Sequence, residues 1–454
     1  MAKELQPKNF TQGKILAPLI KFALPVLGAL FLQATYGAVD LLIVGQFARS
    51  VDVSAVATGS GIMLTMSQIV ISFSMGTTII LARQIGEGRH DKAGETIGGS
   101  IALFGLMGFV ITSITVLGAE GLAKLMQAPE EAFSETVMYI RICGAGTLII
   151  VAYNIIGSIF RGIGDSVTPL ISVIIACISN VLGDLLFVAV LGMGTSGAAL
   201  ATVLAQALSV ALSVLIIKVK KPPFTIRRGD IRVNRPVFRQ VTKLGLPIAL
   251  QDLLVGLSFL VIQAIVNSLG LMPSAGIGVA EKVCAFIMLV PSSFMQAMSS
   301  FVAQNAGAGK YDRANKALKY GIMLSFAAGL TMFYLTFFHG DLMASIFSND
   351  REVVLAGFEY LKSYAIDCLL TAFLFCLLGY FNGLGETRFV MAQGIIGAFG
   401  VRVPVSFFMS RIVPVSLFKI GLATPCSTLL QITMCFAYML FLRKKHKELR
   451  QKNS

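Results

Sequence analysis

Two acidic residues stand inside long apolar stretches of this chain, where a charged group is expensive to bury. Asp40 lies within the run VDLLIVG, and Asp184 lies within the run NVLGDLLF. An ionisable side chain inside a membrane span costs at least about 2.5–3.5 kcal/mol and usually marks an ion or substrate pathway. The two acids are therefore the first candidates for binding a proton or a cation.

An amide and a hydroxyl are expected at the same depth as the two acids. Asn180 precedes Asp184 by four residues and shares its helix face. A rise of about 1.5 Å per residue places Asp40, Asp184 and Thr202 roughly 10 Å below the outer surface. Such an oxygen-rich cluster suits a shared proton or a hard cation such as Na⁺. The alternative is a structural hydrogen-bond network.

The second half of the chain carries a different set of intramembrane charges, namely Glu281, Lys282, Asp367 and Arg402. Two acids and two bases in a medium of low dielectric constant are expected to pair. This pattern favours a structural or gating charge network. A substrate site or a second coupling site is the alternative.

Three further residues are candidates because of their positions in the first span of each half. Asp252 and its neighbour Gln251, near the inner end of span 7, are possible substrate-cavity residues, and an interfacial position is the alternative. Pro25 has a repeat-related partner, Pro247, and proline removes a helical hydrogen bond. A hinge in span 1 is predicted at Pro25, although membrane helices also tolerate proline without bending.

The remaining chemistry-bearing residues argue against an enzyme. The seven cysteines all lie in apolar segments without a CxxC pair, and only three histidines are present. No HExxH, P-loop or nucleophile-elbow motif occurs, so neither a cofactor nor a nucleotide-driven motor is expected. Transport would have to run on an ion gradient, and the bilayer is the expected surrounding of the chain.

The elements that carry these residues are membrane helices. Only 13% of residues are charged, whereas soluble proteins average about 25%. The expected fold is an all-α membrane protein, with apolar runs long enough to cross a hydrocarbon core of about 30 Å. Twelve spans are predicted near residues 19–47, 53–79, 93–118, 137–159, 168–191, 196–219, 243–269, 274–303, 315–338, 356–384, 388–411 and 416–442.

The chain is an internal duplication. The segment 82–93 reads ARQIGEGRHDKA, and it returns 221 residues later, at 303–314, as AQNAGAGKYDRA. The offset is 222 residues between Thr202 and Thr424. Two six-helix lobes, 1–219 and 243–454, are predicted around a pseudo-twofold axis along the membrane normal. In the repeated loops, the glycines suit helix C-caps, and Asp91 and Asp312 suit N-caps.

Positive charge sets the expected orientation. The termini and the loops on one side hold 28 of the 37 Lys and Arg residues, and the other side holds 7. The protein is expected in the cytoplasmic (inner) membrane. The positive-inside rule then places both termini in the cytoplasm. The basic linker 220–242 is read as a solvated segment near anionic lipid, not as a nucleic-acid site.

With these features the chain resembles the multidrug and toxic compound extrusion (MATE) family over essentially its whole length. The segment around Asp40 is similar to the family's span-1 pattern Val-Asp-x-x-x-Val-Gly. In the DinF-like branch the family has a cation site in the N-terminal lobe. The resemblance carries that site onto Asp40, Asn180, Asp184, Thr202 and Tyr139, with Na⁺ a possible occupant of the first four.

The resemblance also separates two branches of the family. The NorM-like branch has a glutamate in span 7, near the position where this chain has Val255, which argues against that branch. Asp367 still matches the acidic span-10 position of that branch, so a role for the second lobe stays open.

The function implied by the resemblance is export of organic cations or amphipathic drugs in exchange for H⁺ or Na⁺ by alternating access, by a monomer. A flippase for a lipid-linked saccharide is the main alternative, but it would need a cationic cavity, and the first-half charges are acidic. A membrane-embedded enzyme lacks a visible catalytic constellation. A channel is disfavoured by the asymmetry between the halves.

Overall fold

A computed structural model describes residues 9–220 and 227–452, and these residues are mainly helical. They form two compact units. The first unit comprises the chain up to Ala249 together with Ala303–Tyr311, and the second comprises Leu250–Val302 and the chain from Asp312 onward. Residues 221–226 of the predicted basic linker lie outside the described residues.

The first half consists of helices because main-chain groups in hydrocarbon must be hydrogen-bonded within their own segment. Span 5 ends in a π turn, Leu185–Val190, immediately after Asp184. The helices are α1 Leu16–Phe47, α2 Ser50–Gly86, α3 His90–Leu117, α4 Ala119–Leu125, α5 Phe133–Ala145, α6 Thr147–Gly162, α7 Val167–Asp184 and α8 Gly194–Lys220.

The second half repeats this order with different interruptions. Span 11 contains a π turn, Ile396–Arg402, which ends at the buried arginine. The helices are α9 Arg235–Asn267, α10 Leu271–Ile287, α11 Leu289–Gly307, α12 Tyr311–Ser345, α13 Arg351–Leu384, α14 Thr387–Ile395, α15 Val403–Ser410, α16 Leu417–Gly421 and α17 Ala423–Lys452.

The number of spans agrees with the sequence-based prediction, but the fourth span is not straight. Within the described residues, eleven helical segments are long and apolar enough to cross a membrane, and a bent segment brings the number to twelve. In this segment, Glu130–Ala145 meets Thr147–Gly162 at 51°. At the bend, a Cβ on Gly146 would lie 2.5 Å from the Val203 side chain of α8. The bend therefore coincides with a close helix contact.

The two repeated loops lie against each other in the first unit. Gly88 and Gly309 have φ angles of +73° and +70°, as expected of glycines that end helices. A Cβ on Gly86 would lie 1.9 Å from the carbonyl oxygen of Gln304, and one on Gly307 would lie 2.1 Å from that of Arg83. The contact is reciprocal, since Gly86 and Gly307 are repeat-related.

The N-cap prediction for this pair of loops is wrong. The helices begin at His90 and Tyr311, so Asp91 and Asp312 lie in the first turn of α3 and α12. An acidic side chain in that position still interacts favourably with the helix dipole, which explains the similar sequence signal.

Gly86→Ala should destabilise the protein, because the added methyl group would meet main-chain atoms that cannot rotate away. We expect a loss of about 1–3 kcal/mol, the usual effect of overpacking, seen as a lower thermal midpoint in detergent. Gly105→Ala is the matched control, since a Cβ there meets nothing within 4 Å. Equal midpoints for the two variants would contradict the close contact.

Candidate functional site

The structure brings the two first-half acids together. Asp40 on α1 and Asp184 at the end of α7 are 5% and 0% exposed, and α1 packs directly on α7. Their carboxyl groups lie close enough to interact electrostatically. Within the described residues, neither acid forms an ion pair with a basic side chain. The pair is therefore a concentration of negative charge without a protein counter-ion.

Asn180 and Thr202 join the same cluster. The Asn180 Nδ2 atom donates to the Thr202 Oγ1 atom at 3.4 Å, and that hydroxyl donates to the carbonyl oxygen of Ala198 at 3.1 Å. With its amide nitrogen engaged, Asn180 turns its oxygen elsewhere. Asn180 is 1% exposed, so this oxygen is also withdrawn from solvent.

Several oxygen atoms of this cluster have no hydrogen-bond donor among the described residues. They are Oδ1 of Asp40, Oδ1 and Oδ2 of Asp184, and Oδ1 of Asn180. Buried polar atoms are normally hydrogen-bonded, so an acceptor-only group of this kind fits a proton or a hard cation. No group of three His, Cys, Asp or Glu side chains suitable for a metal occurs among the described residues. The unpaired acceptors are carboxylate and amide oxygens, the atom type to which hard cations and protons bind.

Small residues allow α7 and α8 to approach closely and so hold the cluster together. A Cβ on Gly183 would lie 2.9 Å from the Cβ of Ala201, one residue before Thr202. Packing of small residues is the usual way in which membrane helices come close. The π turn begins directly after Asp184, and π turns are frequent at functional sites.

Tyr139, which only the family resemblance assigned to the site, lies beside the acid pair. It is 2% exposed on α5, interacts electrostatically with Asp40, and packs next to Cys143. Its ring fills the space that a side chain on Gly59 of α2 would take, since a Cβ there would lie 2.5 Å from the ring. Gly59 thus positions Tyr139.

A narrow cavity adjoins the cluster and is lined by polar residues that the sequence analysis did not assign. Its empty volume is about 310 Å³, and it extends from Asn180 and Thr202 to Gln33 and Tyr153. The Gln33 Nε2 atom donates to the Tyr153 hydroxyl at 3.4 Å. Helical spacing was an available signal for two other lining residues: Tyr36 precedes Asp40 by four residues, and Gln206 follows Thr202 by four.

The predicted pairing among the second-half charges is wrong. Glu281, Lys282, Asp367 and Arg402 are all described, and none of them forms a salt bridge within 4 Å. The Arg402 Nη1 atom donates to the Ser258 hydroxyl at 3.1 Å instead. Arg402 interacts with Asp367 only at longer range.

The surroundings of these charges explain why they do not pair. The Arg402 guanidinium lies over the Phe259 ring, 4.4 Å from its centroid. Lys282 is exposed, and its Nζ atom lies 5.9 Å from the centroid of the Phe347 ring. The Arg402 charge is thus stabilised by an aromatic ring, and the Lys282 charge is accessible at the surface, so neither needs a direct ion pair.

The remaining candidates lie apart from the acid cluster. Gln251 is buried at 8% exposure, and its side chain packs on Gly394 of α14, so its predicted role in a substrate cavity stays a prediction. Asp252 is exposed, and its predicted role stays a prediction. Pro25 lies inside α1, which continues through it, and a hinge there also stays a prediction.

A charged network at one end of the first unit was not found from the sequence. The Asp52 carboxylate accepts from the Thr195 hydroxyl at 2.8 Å and from Arg49 Nε at 2.9 Å, and Arg49 also reaches Glu135 at 3.4 Å. The hydrogen bond to Asp52 raises the pKa of Arg49. The network ties the starts of α2 and α8 together.

The apolar helices define a multi-pass membrane protein, and its first half contains two buried acids without a basic partner among the described residues. A family model, MatE, matches residues 25–186 and again residues 247–408. The chain therefore belongs to the MATE family, whose model covers both halves of the duplication.

Curated relatives and solved structures agree with this assignment. Probable multidrug resistance protein YpnP of Bacillus subtilis is 26% identical over 88% of this chain and 90% of its own length. Probable multidrug resistance protein NorM of Thermotoga maritima is 23% identical over 89% and 86%. A crystal structure of MATE in the straight conformation is 20% identical, covers 99% of this chain and 100% of its own, and has a TM-score of 0.89. The last likeness shows the fold.

Gly59→Ala should disturb the site by displacing the Tyr139 ring. The gain in helix propensity, about 1 kcal/mol, should be outweighed by overpacking of about 1–3 kcal/mol. Gly61→Ala, where a Cβ meets nothing within 4 Å, is the control on the same helix. Thermal unfolding in detergent measures the stability of both variants. Equal midpoints would show that the Tyr139 ring moves aside without loss of stability.

Proposed function

We propose that this protein exports cationic or amphipathic organic compounds in exchange for H⁺ or Na⁺ by alternating access. The observation that carries the proposal is the buried cluster of carboxylate and amide oxygens at Asp40, Asp184 and Asn180, which lacks hydrogen-bond donors among the described residues. Membership of the MATE family and the names of the multidrug relatives support the substrate class.

The cluster supplies a reason for exchange. Two carboxylates close together in a medium of low dielectric constant repel each other, so one binds a proton or both share a cation. Entry of one monovalent ion lowers the charge of the pair from −2 to −1, which relieves the repulsion and changes the packing of α1 against α7. Pro25, fifteen residues before Asp40 on the same helix, is the proposed hinge through which that change reaches the rest of the lobe.

The coupling site is assigned to the first half because the second half does not copy it. The repeat places Ile262 opposite Asp40 and Arg402 opposite Asn180. A fixed guanidinium supplies positive charge where the first half has the neutral amide of Asn180. Thr424 retains its hydroxyl opposite Thr202, without a carboxylate beside it in the repeat.

The ion in this proposal is a transported substrate, and no resident cofactor is invoked. The proposed working unit is a monomer in the cytoplasmic membrane, with both termini in the cytoplasm. The transporter class of the family is the reason for proposing transport without enzymatic chemistry.

Efflux of a fluorescent cation from vesicles, with H⁺ and Na⁺ gradients imposed separately, tests the proposal. One gradient should drive efflux by the wild type, and Asp40→Asn should lower the rate at least tenfold while the protein stays folded. The reason is that a neutral amide cannot change its charge state during the cycle. Normal efflux by this variant under a saturating gradient would remove Asp40 from coupling.

The duplication provides a matched control for the same measurement. Thr202→Ala and Asp184→Asn should weaken the dependence on the driving ion, whereas Thr424→Ala should leave it unchanged. Thr424 is buried and Thr202 is half-buried, so a general packing defect would affect Thr424→Ala at least as strongly as Thr202→Ala. If Thr424→Ala were as damaging as Thr202→Ala, coupling would have to be moved to the second-half charges.

The orientation is tested with single cysteines in a Cys426→Ser background, because Cys426 is exposed. Arg232→Cys, in the basic segment after α8, should be protected from an impermeant thiol reagent applied to whole cells. Glu131→Cys, on the opposite predicted side, should be labelled rapidly; both positions are exposed in the structure. The reverse labelling pattern would invert the topology.

A further inference from the structure

A second charged group in the first unit, Arg161, has no part in the acid cluster. It lies near the end of α6, and it forms no salt bridge within the described residues. Its Nη2 atom donates to the Ser158 hydroxyl at 2.9 Å, and its Nε atom is buried without an acceptor. A cation held in this way is unfavourable, so its charge calls for an explanation.

The helix around Arg161 is shaped to hold the guanidinium. Tyr153, Gly157 and Arg161 are spaced by four residues and so share one face of α6. A Cβ on Gly157 would lie 3.3 Å from the Arg161 Nη1 atom, so the guanidinium occupies the space beside this glycine. Ser158 is itself fixed by a 2.6 Å hydrogen bond to Ser74 of α2.

The narrow cavity that adjoins the acid cluster is connected to Arg161 through one of its lining residues, Tyr153. The cavity runs from Asn180 to Tyr153, whose hydroxyl interacts electrostatically with Arg161. On α1, Gln33 precedes Asp40 by seven residues, which is about 10 Å along the helix, and its side chain contacts Tyr153 of α6. On α6, Gly157 lies one turn after Tyr153. An ion leaving the cluster along this cavity would therefore meet the fixed positive charge.

The arrangement is confined to the half that carries the acid pair. An offset of 221 residues gives the repeat partners of Tyr153, Gly157 and Arg161. These partners lack the phenol of the tyrosine, the free space beside the glycine and the charge of the arginine. They are Leu374, Leu378 and Asn382.

We propose that Arg161 is an electrostatic barrier that stops the coupling cation from leaking through the first unit to the side of the membrane where α6 ends. A fixed positive charge at a narrow, low-dielectric constriction repels cations strongly, as arginines do in selective pores. The inference rests on the proposed ion-coupled function. Without the barrier, the ion gradient would dissipate in the absence of drug.

The test is ion flux without drug, measured on the full chain in vesicles with imposed H⁺ or Na⁺ gradients. Arg161→Gln should dissipate one of these gradients at least tenfold faster than the wild type. Arg161→Lys, which keeps the charge, should stay near the wild-type rate. Adding Asp40→Asn to Arg161→Gln should suppress the leak, because the cation enters through the acid cluster.

Two outcomes would overturn the proposal: a wild-type leak rate in Arg161→Gln, or equal leaks in the glutamine and lysine variants. If Arg161→Gln does not purify as a folded protein, Arg161→Met replaces it, since it also removes the charge and keeps a long side chain. An unchanged leak in that variant overturns the proposal as well. A failure of the proposed function is distinguishable, because the wild type would then show no ion-driven drug efflux in the same vesicles.

Discussion

The repulsion between Asp40 and Asp184 in a medium of low dielectric constant is the constraint on which the first unit depends. Two carboxylates are buried side by side without a basic partner within the described residues, so they are stable only with a proton or a cation. The close contact of Gly183 with Ala201 and the space beside Gly59 hold the groups around this pair. Packing of small residues thus keeps the two acids and their polar neighbours close together.

Much of the fold could be predicted because the lengths of the apolar runs and the repeated segments can be read from the sequence. The shared depth of Asp40, Asp184 and Thr202 follows from helix rise alone. The bend at Gly146 could not be predicted, because it coincides with a contact to Val203, a residue distant in sequence. The missing ion pairs of the second half have the same origin, since the direction of each side chain depends on neighbouring helices.

The two halves have kept their helix order while diverging in local geometry. Span 4 is broken into α5 and α6, and its repeat partner α13 is continuous from Arg351 to Leu384. The broken span carries Tyr139 before the bend and Tyr153 after it, so both residues can approach the acid cluster and its cavity. Divergence is therefore concentrated where the first half has its polar groups.

The two π turns bear on how repeat partners are matched. The second-half turn, Ile396–Arg402, ends before the position that corresponds to Asp184 in the repeat, whereas the first-half turn starts just after Asp184 itself. A π turn takes up one extra residue, and one residue rotates an α-helix by about 100°. Simple counting by 221 pairs Asp184 with Val405, but the extra residue brings Ser406, 0% exposed, onto the inward-facing side. A shift of register, without any substitution, thus changes which side chain faces the interior of a lobe.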